Sequence, residues 1–166
     1  MFALGIDPGL SRCGYGAVRS EGGRLLPVAF GHLTTGPEQP LSERLSNLWD
    51  DLVSLISELR PHVMVVERLL FQVNTQTAMS VGQASGLALA AAGQARCPVA
   101  QYSPNEVKLA VTGYGSATKQ QVQAMVQVLL GLEKPPHPAD RADALALAIC
   151  HLTGSALRAS ISQANA

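Results

Sequence analysis

The sequence is poor in aromatic residues, in charge and in cysteine. Trp, Tyr and Phe together make 4% of its 166 residues, so any core must be built from aliphatic side chains and alanine. Asp, Glu, Lys and Arg make only 14%, against roughly a quarter in average domains. With 47% hydrophobic residues, that scarcity of charge excludes a disordered chain, a coiled coil and a collagen-like repeat. Three widely spaced cysteines, Cys13, Cys97 and Cys150, include no Cys-x-x-Cys pair. They argue against a disulfide framework or a zinc ribbon and fit a reducing, cytoplasmic setting. No apolar run reaches the roughly 18 residues of a membrane helix. The apolar start Met1–Ile6 lacks a basic flank and meets Asp7 at once, unlike a secretory signal. A soluble intracellular protein without a membrane partner is expected.

What is present is informative. Twelve basic residues balance twelve acidic ones. If Asp7, Glu67, Asp140 and Asp143 gather in one pocket, twelve basic residues face eight acidic ones elsewhere, a surplus of four. A polyanionic partner is therefore not excluded.

The chain carries no internal repeat and no linker that would divide it. Residues 1–154 read as one domain and 155–166 as a flexible tail. Phe2–Ile6 reads as a buried strand stopped by Asp7-Pro8-Gly9, with Ala3, Gly5 and Asp7 on a face of little bulk. Cys13–Ser20 and Leu25–Thr35, joined at Glu21-Gly22-Gly23, complete an antiparallel meander. Leu41, Leu45, Leu48, Leu52, Leu55 and Leu59 recur at helical spacing and end before Pro61. His62–Val66 is a β-branched run closed by Glu67, Thr75–Ala95 a small-residue helix, and Val99–Tyr102 a short strand. Ser103-Pro104 opens a short helix, Ser116 starts another to about Gly131, and a last one spans Ala139–Leu152. The order predicts an α/β fold with a mixed five-stranded sheet flanked by helices.

Asp7 and Glu67 end two strands, where sites lie in open α/β sheets. Asp140 and Asp143, three apart on a helix, share a face, while Arg141 points elsewhere. Two unit charges about 5 Å apart repel by roughly 3 kcal/mol at an effective dielectric of 20. Four such groups must bind protons or cations. Oxygen donors without His or Cys favour Mg²⁺ or Mn²⁺ over zinc, and two such ions can assist phosphodiester hydrolysis. Taken singly, each acid has a plainer explanation: a turn at Asp7, a helix cap at Asp140, a dipole partner at Asp143. Glu67, closing an apolar strand, must reach solvent or a ligand.

Several segments resemble the RuvC family of Holliday-junction resolvases. They are Gly5-Ile6-Asp7-Pro8-Gly9 with Gly14-Tyr15-Gly16, Val65-Val66-Glu67, Val81-Gly82-Gln83-Ala84, Val107-Lys108, Gly113 to Lys119, and Ala139 to Ala146. The resemblance spans about residues 2–152 and implies an RNase H-like fold and a crossover junction endodeoxyribonuclease. It implies Asp7, Glu67, Asp140 and Asp143 as catalytic metal ligands, with two Mg²⁺ or Mn²⁺ ions. It places Lys108 and Lys119 against DNA. The helix start read at Ser116 sets free N–H groups for a phosphate beside Lys119; on their residue type alone Lys108 and Arg68 are weaker candidates, because any exposed cation can be neutral to function. The resemblance further implies a homodimer through the helix after Glu67, four-way junction DNA as substrate, and the RuvA–RuvB branch-migration complex as partner. The family usually carries an aromatic three residues past the catalytic Glu; here that place is Leu70, and Phe71 follows. Phe71 is readable as a wedge or as core. One family member has His at the place of Asp140, so His137 is a candidate for a supporting group.

Gly82 and Gly86, with Ala78 and Ala90, form a small-residue face that fits either the chain's own sheet or a second protomer. The rival readings are an RNase H-like nuclease on RNA or other branched DNA, an inactive junction-binding module, and an actin-like or sugar-kinase-type ATPase. The last needs two such domains.

Overall fold

The structure, a computed structural model, describes residues 1–68 and 75–164, with side chains for 1–68 and 78–154. Its strands are β1 (Phe2–Asp7), β2 (Arg12–Glu21), β3 (Arg24–Thr34), β4 (Val63–Glu67) and β5 (Val99–Tyr102). Its helices are α1 (Leu41–Leu59), α2 (Thr75–Gln94), α3 (Pro104–Thr112), α4 (Lys119–Leu130) and α5 (Ala139–Ala164).

The sheet order is β3-β2-β1-β4-β5. The first three strands pair antiparallel, and β4 runs parallel to both β1 and β5. The register Ile6↔Val66 puts Asp7 and Glu67 side by side at the carboxyl ends of neighbouring strands. Alternation then decides their faces. Leu4, Ile6, Met64 and Val66 pack toward α1 and α2, whereas Ala3 and Val65 pack toward α3, α4 and α5. Asp7 and Glu67 share the parity of Ala3 and Val65, so both point to the side covered by α5.

Helix α5 is buried without a break from Ala144 to Cys150, which is a helix enclosed on all sides. It lies directly on the sheet because glycines stand beneath it. A Cβ on Gly5 would collide with the Ala144 carbonyl oxygen, and one on Gly14 with that of Asp140. One on Gly16 would stand 2.6 Å from the Leu145 nitrogen. The low-bulk face of β1 read from the sequence is thus the seat of the helix that carries Asp140 and Asp143.

Two expectations are corrected. Helix α5 continues to Ala164, beyond the expected end at Leu152. Gly154 is a single weak breaker, and Ala156, Leu157, Arg158 and Ala159 beyond it are strong helix formers. Helix α4 starts at Lys119, capped by Thr118 rather than Ser116. The Thr118 hydroxyl accepts from the Gln121 backbone N–H at 3.2 Å, and the Gln121 side chain accepts from the Thr118 N–H at 2.8 Å. Ser116 has Lys119 three residues on, which cannot close that reciprocal pair. The cap expected at Ser103, with Pro104 opening α3, is as observed.

The outer edge of the sheet is β3, eleven residues long. Its pairing with β2 slips at Ala17/Val18, opposite Ala29 and Pro27, a β-bulge.

Candidate active site

Asp7, Glu67 and Asp143 line one cavity of about 300 Å³ with Lys108, Lys119 and the apolar Val107 and Leu147. Three elements distant in sequence meet here: the ends of β1 and β4, and the first turns of α5. Lys119 enters from the first turn of α4, and its Nζ donates to Asp143 Oδ2 at 3.4 Å.

The acids perturb one another. Asp7 is pushed up to about 7, first by burial, then by the charges of Asp143, Glu67 and Asp140. Glu67 is raised by burial and by Asp143, with Lys119 and Lys108 opposing. Asp143 is raised mainly by burial, with Lys119 pulling it back down. Lys119 is raised in turn, chiefly by Asp143. Carboxyl groups that resist losing their protons in a cleft are the expected signature of a functional cluster.

Not every expected residue joins it. Asp140 is absent from the cavity wall and faces Arg12, whose Nη1 donates to Asp140 Oδ2 at 3.4 Å. It nevertheless lies near enough for its charge to be felt at Asp7 and Asp143. Its place inside α5, one residue past the start, removes the plain cap reading. Arg68 follows Glu67 but turns away, donating to the Gln101 carbonyl at 3.1 Å. Ser116 is exposed, outside the cavity wall. Arg141 points elsewhere, as its position on the helix requires, and donates to His32 Nδ1 at 3.3 Å. His137 is exposed on the loop before α5, and among the described residues no hydrogen bond joins it to the acids. Leu70 and Phe71 lie outside the described residues. Arg12 is the participant that sequence reasoning missed. Its one signal is the register that sets Asp7 beside Gly14, two residues beyond it.

The three carboxylates share a cavity without meeting at a point. Among the described residues, no group of three His, Cys, Asp or Glu side chains is close enough to hold a metal ion as they stand.

A family profile described as crossover junction endodeoxyribonuclease RuvC matches residues 3–151. The chain belongs to the RuvC family. It is 51% identical over 151 residues to a crossover junction endodeoxyribonuclease RuvC of Desulfitobacterium hafniense, covering 91% of this chain and 92% of the relative. The solved Thermus thermophilus RuvC is 35% identical, with a TM-score of 0.87 over 95% of this chain and 96% of that one. The T. thermophilus RuvC solved in complex with a Holliday junction substrate gives 0.88, again at 35% identity, over 93% and 94% of the two chains. The RNase H-like α/β fold expected from the sequence is therefore the one observed, and RuvC membership makes the chain an endodeoxyribonuclease. Among the described residues, no helix is long and apolar enough to cross a membrane.

Proposed function

We propose that the chain resolves four-way DNA junctions during recombination and repair, by metal-assisted hydrolysis of phosphodiesters. Asp7, Glu67 and Asp143 would hold Mg²⁺ or Mn²⁺, and Asp140 would complete the ligand set for two ions. The carrying observation is the convergence of acids from β1, β4 and α5 in one cavity with two lysines in its wall. Only oxygen donors are offered, which suits a hard divalent ion. Asp7, Glu67 and Asp143 are raised first by burial and then by neighbouring carboxylates, and a bound cation would favour their charged forms. When bound, the metal supplies an activated water and a counter-charge for the leaving oxygen.

The chain's own groups do the positioning. Strand ends fix Asp7 and Glu67, and α5 fixes Asp143 over them. Lys119 holds Asp143 and presents a cation toward the phosphate. Lys108 widens that positive rim, with Arg68 and Ser116 further out along the DNA path. Arg12 tethers Asp140 at the mouth.

A second protomer would place a second cavity for the opposite strand. The small face of α2 supports such a homodimer. A Cβ added at Gly82 or Gly86 would meet nothing within 4 Å, while Ala84, Ala88, Ala91 and Ala92 face the core. The stripe thus turns away from the chain's own sheet, and Met79 beside it is 68% exposed. The cytoplasmic setting and the RuvA–RuvB complex as partner complete the proposal by resemblance.

Parallel digestion of a four-way junction, a plain duplex and an RNA–DNA hybrid, each with Mg²⁺ or Mn²⁺, tests the reading. Symmetric nicks in the junction alone are expected. Preferred cutting of the hybrid would favour the RNA-directed alternative, and binding without cutting would favour an inactive junction-binding module. Separately, Lys119→Ala should weaken junction binding and lower the slope of log affinity against log salt by about one. An unchanged slope removes Lys119 from the phosphate contacts.

A further inference from the structure

A second cavity, of about 440 Å³, lies at the opposite end of the sheet from the acids, where α1 and α2 both terminate. Its walls are part apolar, from Val53, Ile56 and Ala91, and part polar, from Ser57, Gln94 and the arginines Arg60 and Arg96. No Asp or Glu lines it, and among the described residues neither arginine has an ion-pair partner.

The backbone at these arginines is unusual. They are the only non-glycine residues with positive φ among those described, at 48° and 52°. That conformation crowds a side chain's Cβ and is ordinarily left to glycine at helix ends. The same molecule supplies the comparison. Helix α3 ends on left-handed Gly113, whose N–H donates to the Leu109 carbonyl at 2.9 Å. Helix α1 ends with the same bond at 2.8 Å, from Arg60 to Ile56. Helix α4 ends on Gly131, followed by a bond from Leu132 N–H to the Gln127 carbonyl. Helix α2 repeats it with Arg96, followed by Cys97 N–H to the Ala92 carbonyl. Two matching pairs of helix ends thus differ in one respect: the two that close on the cavity carry arginine where the others carry glycine. A favourable interaction with the helix dipole does not explain this, because a cation anywhere in the last turn would supply it.

We propose that this cavity docks an acidic peptide of a partner protein, with an apolar side chain seated between α1 and α2 and its carboxylates on Arg60 and Arg96. The two guanidiniums reverse the negative sign that two helix carbonyl ends would otherwise give the site. A peptide suits the walls better than a nucleic acid. A phosphodiester backbone has no use for an aliphatic recess, and no aromatic lines it for a base to stack on.

The test uses the full chain and a fluorescein-labelled Glu-Glu-Glu-Leu-Val peptide, followed by anisotropy at physiological salt. Saturable binding is expected, weakened at least about tenfold by Arg60→Gly or Arg96→Gly, a loss of about 1.4 kcal/mol. Junction cutting should be unchanged in both variants and Tm unchanged or higher, because glycine suits the left-handed position. Three results would overturn the proposal: no saturable binding, equal binding of a Glu-Glu-Glu-Ser-Ser peptide, or displacement of the peptide by short duplex DNA. A fall in Tm in either glycine variant would also overturn it, showing that the arginines serve the fold.

Discussion

Asp7→Asn should lower junction cutting by about a thousandfold or more while leaving junction binding nearly intact. Metal-supplied charge stabilisation is worth several kcal/mol, and each 1.36 kcal/mol is tenfold in rate. The same substitution should stabilise the protein in chelator. Asp7 holds its proton up to about pH 7 in the folded chain, against an ordinary value of 3.8. Between those values the native state binds a proton that the unfolded chain has released. Stability therefore falls as pH rises through that window and levels off above it. The span bounds the effect at about 4 kcal/mol. Asparagine removes the charge, so thermal melts at pH 8 should show a Tm several degrees above the parent, and the slope between pH 4 and 7 should flatten. Saturating Mn²⁺ should reverse the order, because only the parent gains the full stabilisation of binding. Normal cutting by Asp7→Asn, or the same Tm in chelator, would remove Asp7 from the centre of the site.

The second large effect belongs to a residue with no chemistry. In Gly5→Ala the new methyl meets the Ala144 carbonyl oxygen, with the Ala148 nitrogen 3.0 Å away. Both are backbone, so no side chain can rotate aside, and α5 must lift from the sheet. Overpacking of this kind costs about 3 kcal/mol, and Tm should fall on the order of 10 °C. Cutting should fall further than the unfolded fraction explains, because lifting α5 carries Asp143 away from Asp7 and Glu67. Gly93→Ala is the control. Its Cβ meets nothing within 4 Å, so Tm should hold or rise slightly. Parental stability and cutting in Gly5→Ala would show that the seating of α5 does not set the site.

These two residues also show what the sequence makes legible. Asp7 and Glu67 are readable because each closes an apolar strand, and a charge at such a place has few uses. Asp143 is readable by its spacing from Asp140, although spacing alone does not show that Asp143 enters the cavity while Asp140 turns to Arg12. That pairing joins residues 128 apart and depends on how closely α5 approaches β2. Local pattern carries no such information. The open face of Gly82 and Gly86 is ambiguous for the same reason, since a stripe of small residues fits any close neighbour. The start of α4 is displaced from its expected place because two hydroxyls compete for one cap, and the glutamine at position 121 decides between them. The persistence of α5 past Gly154 reflects the summed preference of the residues behind it, which a single glycine does not outweigh.

The slipped pairing of β3 bears on how the molecule behaves in a crowded solution. An open strand of eleven residues is a template onto which a neighbouring chain could zip, the first step toward aggregation. Pro27 has no N–H to offer such a visitor, and the bulge beside it breaks the even spacing that an added strand would have to match. The far edge, β5, is only four residues long. Both margins of the sheet are thus poor ground for growth, which leaves the molecule free to seek its contacts through helices and cavities instead.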